Sequence, residues 1–172
     1  MAYKVNDTIL YGAQGICRIA EITERDFGGN FIKYYVLKTV FNDNSTILVP
    51  MENEALTAKM RRILSAEEIY DLIQSMPDEE LIWIENETAR KEQYRAILSN
   101  GDREELVRLI KTLYLRQQSQ IEKGKKLHLS DERFLKEAEK ILYEEFAHVL
   151  NIKREQVLPF ILAQIDINKK TE

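Results

Sequence analysis

The spacing of hydrophobic and polar positions changes near residue 64. Before that point, apolar and aromatic residues occur in short runs such as 16–23 and 31–41, a pattern that predicts β-strands. Residues 28–30 and 42–44 are rich in Gly, Asn and Asp, which tolerate the backbone of tight turns. Beyond residue 64, apolar residues recur every three or four positions, which predicts helices. This change of period predicts a domain boundary.

The strands before the boundary belong to a segment of only 64 residues. A small sheet leaves backbone groups open along its edges unless it curls. We therefore predict an SH3-like or Tudor-like β-barrel over residues 1–64, with a last strand within 58–64. Residues 65–172 are predicted to form a compact all-α domain, so the fold class is α+β.

Local signals mark the ends of the predicted helices. Ser65 and Glu68 have the spacing of a capping box, in which each side chain binds the other residue's backbone N–H. Asn100-Gly101 predicts a helix end, because glycine adopts the left-handed conformation there, and Asp102 predicts the next N-cap. Together these residues predict a helical hairpin.

Charge is unevenly distributed along the chain. Residues 1–85 carry 8 Lys and Arg against 14 Asp and Glu, residues 86–126 carry 10 against 6, and residues 127–172 carry 7 against 9. A local basic segment in a protein of net charge −4 indicates a directed contact with a polyanion. The alternative is that these cations only solvate the outer faces of surface helices.

Several classes of protein are disfavoured by what the sequence lacks. No apolar run approaches the roughly 20 residues that span a bilayer, and no signal-peptide pattern is present, so we expect a cytoplasmic protein without a membrane partner. Cys17, the single cysteine, lies in an apolar run that favours a core role. His128 and His148 lack the companion ligands of a zinc site. Without a recognisable catalytic motif, we expect no enzyme activity, metal or cofactor.

Three motifs of the first domain resemble the CarD family of bacterial transcription regulators. VNDTILYGAQGICRIAEI (5–22) is similar to the family's opening V-G-D-x-V-V-Y-P-x-x-G, YYVLK (34–38) to its central strand, and VPMEN (49–53) to its V-P-x-E-N. The order of the two domains also resembles the family. The family's first domain is similar to the polymerase-interacting domain of the transcription-repair coupling factor and binds the RNA polymerase β subunit. The resemblance therefore implies this partner.

The resemblance also implies residues that contact the polymerase. Arg25 corresponds to a basic residue of the family at that contact, and Leu48 replaces an arginine of other members. The hairpin of residues 31–49 suits an edge contact or an added strand. The predicted polymerase-binding residues are Arg25, Tyr35, Leu37, Leu48 and Pro50. For Tyr35 and Leu37, the alternative is that they only complete the fold, because strand side chains alternate between two faces.

In the family, the helical domain contacts promoter DNA at the upstream edge of the melted bubble, where a tryptophan wedges into the minor groove. The family motif is Asn-Trp-x-x-Arg, whereas residues 86–90 here read Asn-Glu-Thr-Ala-Arg. Glu87 therefore stands at the wedge position, and Trp83 lies four residues earlier. The predicted DNA-binding residues are Trp83, Asn86, Arg90, Lys91, Arg108, Lys111, Lys125 and Lys126. The resemblance implies that the cations hold phosphates beside the indole.

The sequence allows two structural positions for Trp83. If one helix ran unbroken from Asp78, Trp83 would share a row with Tyr94 and Ile97, where a core position is as plausible as a wedge. If Asn86 is an N-cap, Trp83 precedes the helix and lies near the surface. We expect the second arrangement, with a partly exposed Trp83.

Two functions remain for this chain. The first is a monomeric CarD-like regulator that binds the polymerase β subunit through residues 1–64 and stabilises the open promoter complex through residues 65–172. The second is a polymerase-bound adaptor whose helical domain contacts another protein and not DNA. Salt dependence of binding separates the two, because phosphate contacts release counterions.

Overall fold

The structure is a computed structural model that describes residues 3–41 and 45–170. The turn predicted at residues 42–44 lies outside the described residues. The chain divides into two compact units, Met1–Ile63 and Leu64–Glu172. Strands, a 3₁₀ turn (Gly12–Gln14) and a short α-helix form the first unit, and helices form the second, so the α+β class is confirmed.

The first unit is an antiparallel sheet, with the described strands in the spatial order β4-β3-β2-β1-β5. The elements are β1 (Thr8–Tyr11), β2 (Ile16–Phe27), β3 (Asn30–Thr39), β4 (Thr46–Pro50), the helix α1 (Glu54–Thr57) and β5 (Met60–Arg62). Apolar side chains from these strands form a buried cluster, and the burial of apolar surface stabilises the fold. Its members are Ile9, Tyr11, Cys17, Ile19, Tyr35, Leu37, Val49 and Met60.

The predicted barrel is not confirmed, because the described strands form an open sheet. Closure requires β4 to pair with β5, whereas in the described residues β4 pairs with β3 and β5 pairs with β1. Both edge strands are short, with 5 and 3 residues. Short edges offer few unpaired backbone groups, so the sheet limits its exposed edges without closing on itself.

β2 and β3 extend beyond their neighbours as a two-stranded hairpin. β1 pairs with residues 16–18 of β2 and β4 with residues 34–38 of β3, but the pairing of β2 with β3 continues to the turn at residues 28–29. Both turn glycines have positive φ, as a tight hairpin turn requires. Residues 24–33 are named the β2–β3 arm, and most of its side chains are exposed.

The second unit consists of helices that pack around their own core. They are α2 (Ala66–Ser75), a 3₁₀ turn (Met76–Asp78), α3 (Glu87–Asn100), α4 (Arg103–Glu122), α5 (Leu129–Leu150) and α6 (Arg154–Lys170). One buried cluster joins α2, α4, α5 and α6. Its members are Ile69, Ile73, Val107, Leu142, Phe146, Ala147, Val157 and Ile161.

Helix ends lie where the local signals predict them. The Ser65 hydroxyl accepts a hydrogen bond from the Glu68 N–H, and the Glu68 carboxylate accepts one from the Ser65 N–H, both at 3.1 Å. The Asp102 carboxylate accepts from the first amides of α4. Gly101, with a φ of 74°, ends α3. The capping box and the helical hairpin are therefore confirmed.

Glu145 of α5 ties α4 to the start of the second unit. Its carboxylate accepts hydrogen bonds from Arg103 at 2.9 and 2.6 Å and from the backbone N–H of Leu64 at 2.9 Å. The Glu145 side chain is completely buried, and a buried carboxylate is tolerated only when it is paired and hydrogen-bonded. Arg103 therefore has a structural role in the basic segment.

We expect Cys17 to be almost unreactive in the folded protein. Burial in the core of the first unit raises the pKa of its thiol from 9.0 to about 12, which leaves about a thousandfold less of the reactive thiolate at neutral pH. Alkylation by iodoacetamide in increasing urea should therefore follow the unfolding of the first unit, with Cys17→Ser as the blank. Alkylation at the rate of a free thiol without urea would contradict this burial.

Candidate functional site

An irregular segment between α2 and α3 carries the single tryptophan of the chain. Residues 79–86 are named the Trp83 segment. Its last residue, Asn86, accepts a hydrogen bond from the Ala89 N–H at 2.9 Å and so caps α3. The predicted N-cap is confirmed, and Trp83 is partly exposed, as expected.

Side chains of α3 and α4 bind the backbone of this segment. The Ile82 N–H donates to the Thr112 hydroxyl, and the Tyr94 hydroxyl donates to the Ile82 carbonyl, both at 2.9 Å. The Lys111 ammonium donates at 2.7 Å to the Glu79 carbonyl and to a carbonyl of the preceding 3₁₀ turn. These bonds satisfy backbone groups that a helix or sheet would otherwise pair.

Arg90 lies inside the helical unit, with only 6% of its surface exposed. Its Nε is 3.0 Å from Asp131, which is 1% exposed, and its Nη1 donates to the Ile84 carbonyl at 2.9 Å. If Arg90 left to bind a phosphate, Asp131 would remain buried and unpaired, at a cost of about 3–5 kcal/mol. The position of Arg90 therefore fits a structural role and not the predicted phosphate contact.

Two guanidinium groups lie over the Trp83 ring. The centre of the ring is 4.4 Å from the Arg90 Cζ and 3.9 Å from the Arg116 Cζ, both within range of a favourable cation–π contact. The indole Nε1 donates to the Glu85 carboxylate at 3.1 Å. Arg116 is exposed, and the sequence prediction missed it. No local signal in the sequence indicates its contact with Trp83.

The first turn of α3 carries a carboxylate with cationic neighbours. Glu87 is 3.0 Å from the Lys91 ammonium and 3.7 Å from the His128 Nε2. The hydrogen bond from Lys91, followed by the charges of Lys91 and His128, lowers the pKa of Glu87 below its usual 4.5. Lys91 is thus engaged by Glu87, which carries a negative charge at the first position of α3.

The remaining predicted DNA-binding cations fall into two groups. Arg108 binds the Glu79 carboxylate at 2.7 Å, and Lys111 binds backbone carbonyls, so both hold the start of the Trp83 segment. Lys125 and Lys126 are exposed in the loop between α4 and α5. That loop leads directly to His128 and Asp131, which contact α3, so it lies beside the N-terminus of α3.

The predicted polymerase-binding residues also divide by exposure. Tyr35 and Leu37 are 6% and 0% exposed and belong to the core of the first unit, which fits the alternative that they complete the fold. Arg25 is exposed on the β2–β3 arm. Leu48 and Pro50 are partly exposed on the edge strand β4. The last three residues are therefore the most exposed of the five.

A cavity of about 360 Å³ is lined by residues of β3, α1 and β5. Tyr3 and Tyr35 meet in its wall, with ring centroids 6.2 Å apart and planes at 81°. The Tyr3 hydroxyl donates to the Met60 carbonyl at 3.1 Å, which ties the start of the chain to β5. Tyr35 therefore reaches the surface at this cavity.

Within the described ranges, none of the helices is long and apolar enough to cross a membrane. The same residues contain no group of three or more His, Cys, Asp and Glu side chains placed to hold a metal ion.

Two family models match consecutive parts of the chain. The CarD-like/TRCF RID domain, the polymerase-interacting domain shared with the transcription-repair coupling factor, matches residues 3–64. The CarD C-terminal domain matches residues 68–161 and thus more than half of the chain. The first match covers the sheet, and the second covers most of α2, the Trp83 segment, α3 to α5 and the beginning of α6. The chain therefore belongs to the CarD family, whose domains indicate a transcription regulator that interacts with RNA polymerase.

Proposed function

We propose that this protein binds the β subunit of RNA polymerase through its first unit and stabilises the open promoter complex through DNA contacts of its helical unit. The polymerase half rests on family membership. The DNA half rests on one observation: a partly exposed indole is held outside any helix, beside the exposed Arg116 and near the loop that carries Lys125 and Lys126.

The proposed polymerase contact uses the β4 edge and the β2–β3 arm. An edge strand has unpaired N–H and C=O groups to which a strand of the partner can add. Leu48 and Pro50 lie on β4, and their side chains are partly exposed. Arg25 supplies an exposed positive charge from the arm. The three residues together offer backbone, apolar and charged contacts to the β subunit.

The proposed DNA contact places Trp83 at the upstream edge of the melted bubble. An indole that stacks against a base edge opposes closing of the duplex, while nearby cations bind the flanking phosphates. Such a protein shifts the equilibrium by the difference between its binding free energies for the open and closed complexes. A difference of about 1.4 kcal/mol changes the ratio of the two complexes tenfold.

The adaptor function is the second candidate, and specific contacts favour it. Arg90, Arg108 and Lys111 bind groups of their own chain, which leaves fewer cations for phosphates. Glu87 carries a negative charge at the wedge position of the family, where it would repel phosphates. In this function, the Trp83 segment is a protein-binding surface.

Charge changes at Leu48 should alter polymerase affinity in opposite directions. Leu48→Arg restores the arginine that other members carry and should tighten binding to core polymerase about fivefold, whereas Leu48→Glu should weaken it by a similar factor, as one exposed charge pair typically does. Binding of the full-length variants is measured by titration with labelled polymerase. Gln14→Arg and Gln14→Glu are controls at an exposed site outside β4. Equal affinities for the two Leu48 variants would rule out a contact through β4.

The salt dependence of binding should reveal phosphate contacts by the α4–α5 loop. Lys125→Ala/Lys126→Ala removes two ammonium groups and should make the slope of log K against log salt shallower by about 1.8 for a polymerase–promoter complex. Lys136→Ala/Lys153→Ala removes the same charge from exposed positions on α5 and before α6. If both double variants keep the wild-type slope, these loop cations make no phosphate contact and the adaptor function is favoured.

Glu87 should stay ionised throughout the neutral range. Its pKa is lowered mainly by the hydrogen bond from Lys91, so Lys91→Met should raise the pKa back towards 4.5. Because the folded-state value is lowered, the stability that the pair contributes is complete above 4.5 and is lost as the pH falls through the folded-state pKa. Carboxyl NMR titration of the wild type and Lys91→Met measures both values. An unchanged pKa in Lys91→Met would show that Lys91 is not the cause.

A further inference from the structure

One side of α4 follows the Trp83 segment along its length. Arg108 binds the Glu79 carboxylate at 2.7 Å, and Thr112, one turn later, accepts a backbone N–H of the segment at 2.9 Å. Arg116, another turn later, lies 3.9 Å from the centre of the Trp83 ring. Residues four apart share one side of a helix, so a single row of α4 contacts the start, the middle and the indole of the segment.

A buried ion pair holds the end of the same segment. The guanidinium of Arg90 contacts Asp131 at 3.0 Å, donates to the Ile84 carbonyl at 2.9 Å, and lies 4.4 Å from the centre of the Trp83 ring. Both members of the pair are nearly inaccessible to water. One buried group therefore fixes the backbone next to Trp83 and also contacts the indole.

The two arginines beside Trp83 differ in whether their N–H donors are available to a binding partner. The Nε of Arg90 donates to Asp131, and its Nη1 donates to the backbone carbonyls of Ile84 and Glu85. Arg116 is exposed, and its cation–π contact with the indole uses none of its five N–H donors. An arginine that is stacked in this way can bind a phosphate bidentately without giving up a hydrogen bond.

We infer that Arg90 and Asp131 are a positioning pair for Trp83, and that Arg116 is the arginine of this site that binds a DNA phosphate. The phosphate part rests on the proposed function, whereas the positioning part does not. The pair orders the Trp83 segment before any partner arrives, so the entropy of ordering it is not lost during binding. The phosphate contact that the resemblance implies for Arg90 is thus assigned to Arg116.

The positioning part is tested with the full-length chain through its own fluorescence, because Trp83 is the single tryptophan. Arg90→Met/Asp131→Leu removes both charges and fills the space with apolar side chains, a replacement that preserves folding in other proteins. We expect a lower Trp83 anisotropy at an unchanged helix content, and an effect on promoter opening about tenfold weaker, the cost of ordering one more residue on binding. Polymerase affinity should not change.

Asp131→Asn is the second variant of this test, because it removes one charge and keeps the shape of the side chain. A wild-type anisotropy in the folded Arg90→Met/Asp131→Leu chain overturns the positioning role. A folded Asp131→Asn chain with wild-type anisotropy overturns it too. Lower anisotropy in every variant that folds supports it.

Arg116 is tested by Arg116→Gln, with Arg116→Lys as the conservative variant. Arg116→Gln should keep the wild-type anisotropy and make the salt slope of the polymerase–promoter complex shallower by about 0.9, and Arg116→Lys should restore that slope. An unchanged slope in Arg116→Gln overturns the phosphate contact.

Two results distinguish the positioning role of Arg90 and Asp131 from the proposed DNA function. If the wild-type chain has no effect on a fluorescent base in the bubble, and Arg90→Met/Asp131→Leu still lowers the anisotropy, the DNA function is overturned and the positioning pair is supported. If the wild-type chain does open the bubble but the anisotropy does not respond to either pair variant, the positioning pair is overturned and the DNA function stands.

Discussion

Backbone that belongs to neither helix nor sheet must still find hydrogen-bond partners, and this constraint organises the helical unit. The Trp83 segment obtains its partners from Thr112, Tyr94, Lys111 and Arg90, which lie on two neighbouring helices. The first residue of the unit, Leu64, obtains one from Glu145 of α5 in the same way. In each case a polar side chain from a regular helix fixes the course of an irregular stretch.

Ion pairs inside the helical unit engage part of the basic charge of the chain. Arg90 and Arg103 belong to the positively charged part of the chain, and their partners Asp131 and Glu145 belong to the acidic part that follows. The members of these pairs are 41 and 42 residues apart in sequence, and α5 supplies both carboxylates. Cations of the basic part are therefore neutralised by carboxylates of the acidic part when the chain folds. Exposed cations such as Lys125 and Lys126 are the part left for a partner.

Features set by neighbouring residues could be predicted from the sequence. The capping box at Ser65, the N-cap at Asn86 and the helix end at Gly101 follow from side chains and backbone preferences within four residues. The α+β class follows equally from the change of hydrophobic period. The family could also be identified, because its motifs are short and contiguous.

Features set by distant residues could not be predicted in this way. Arg90 looks like an exposed helical cation until Asp131, far along the chain, is placed against it. Arg116 gains importance only through Trp83, and nothing in its immediate sequence indicates that contact. Whether the sheet closes depends on the pairing of β4 with β5, strands that share no local signal. Periodicity identifies the buried face of an element but does not name the element that covers it.

The β2–β3 arm has a consequence for local stability. The two strands of the arm pair with each other, and a further backbone hydrogen bond, from the Met51 N–H to the Lys33 carbonyl, lies at the base of the arm. An isolated two-stranded hairpin is marginally stable in water. Its amide hydrogens should therefore exchange with solvent through local opening, while those of Cys17 and Leu37 exchange only when the whole unit unfolds. Arg25 lies on this labile part. A partner that binds there must order the arm as it binds, and part of the binding free energy is spent on that ordering.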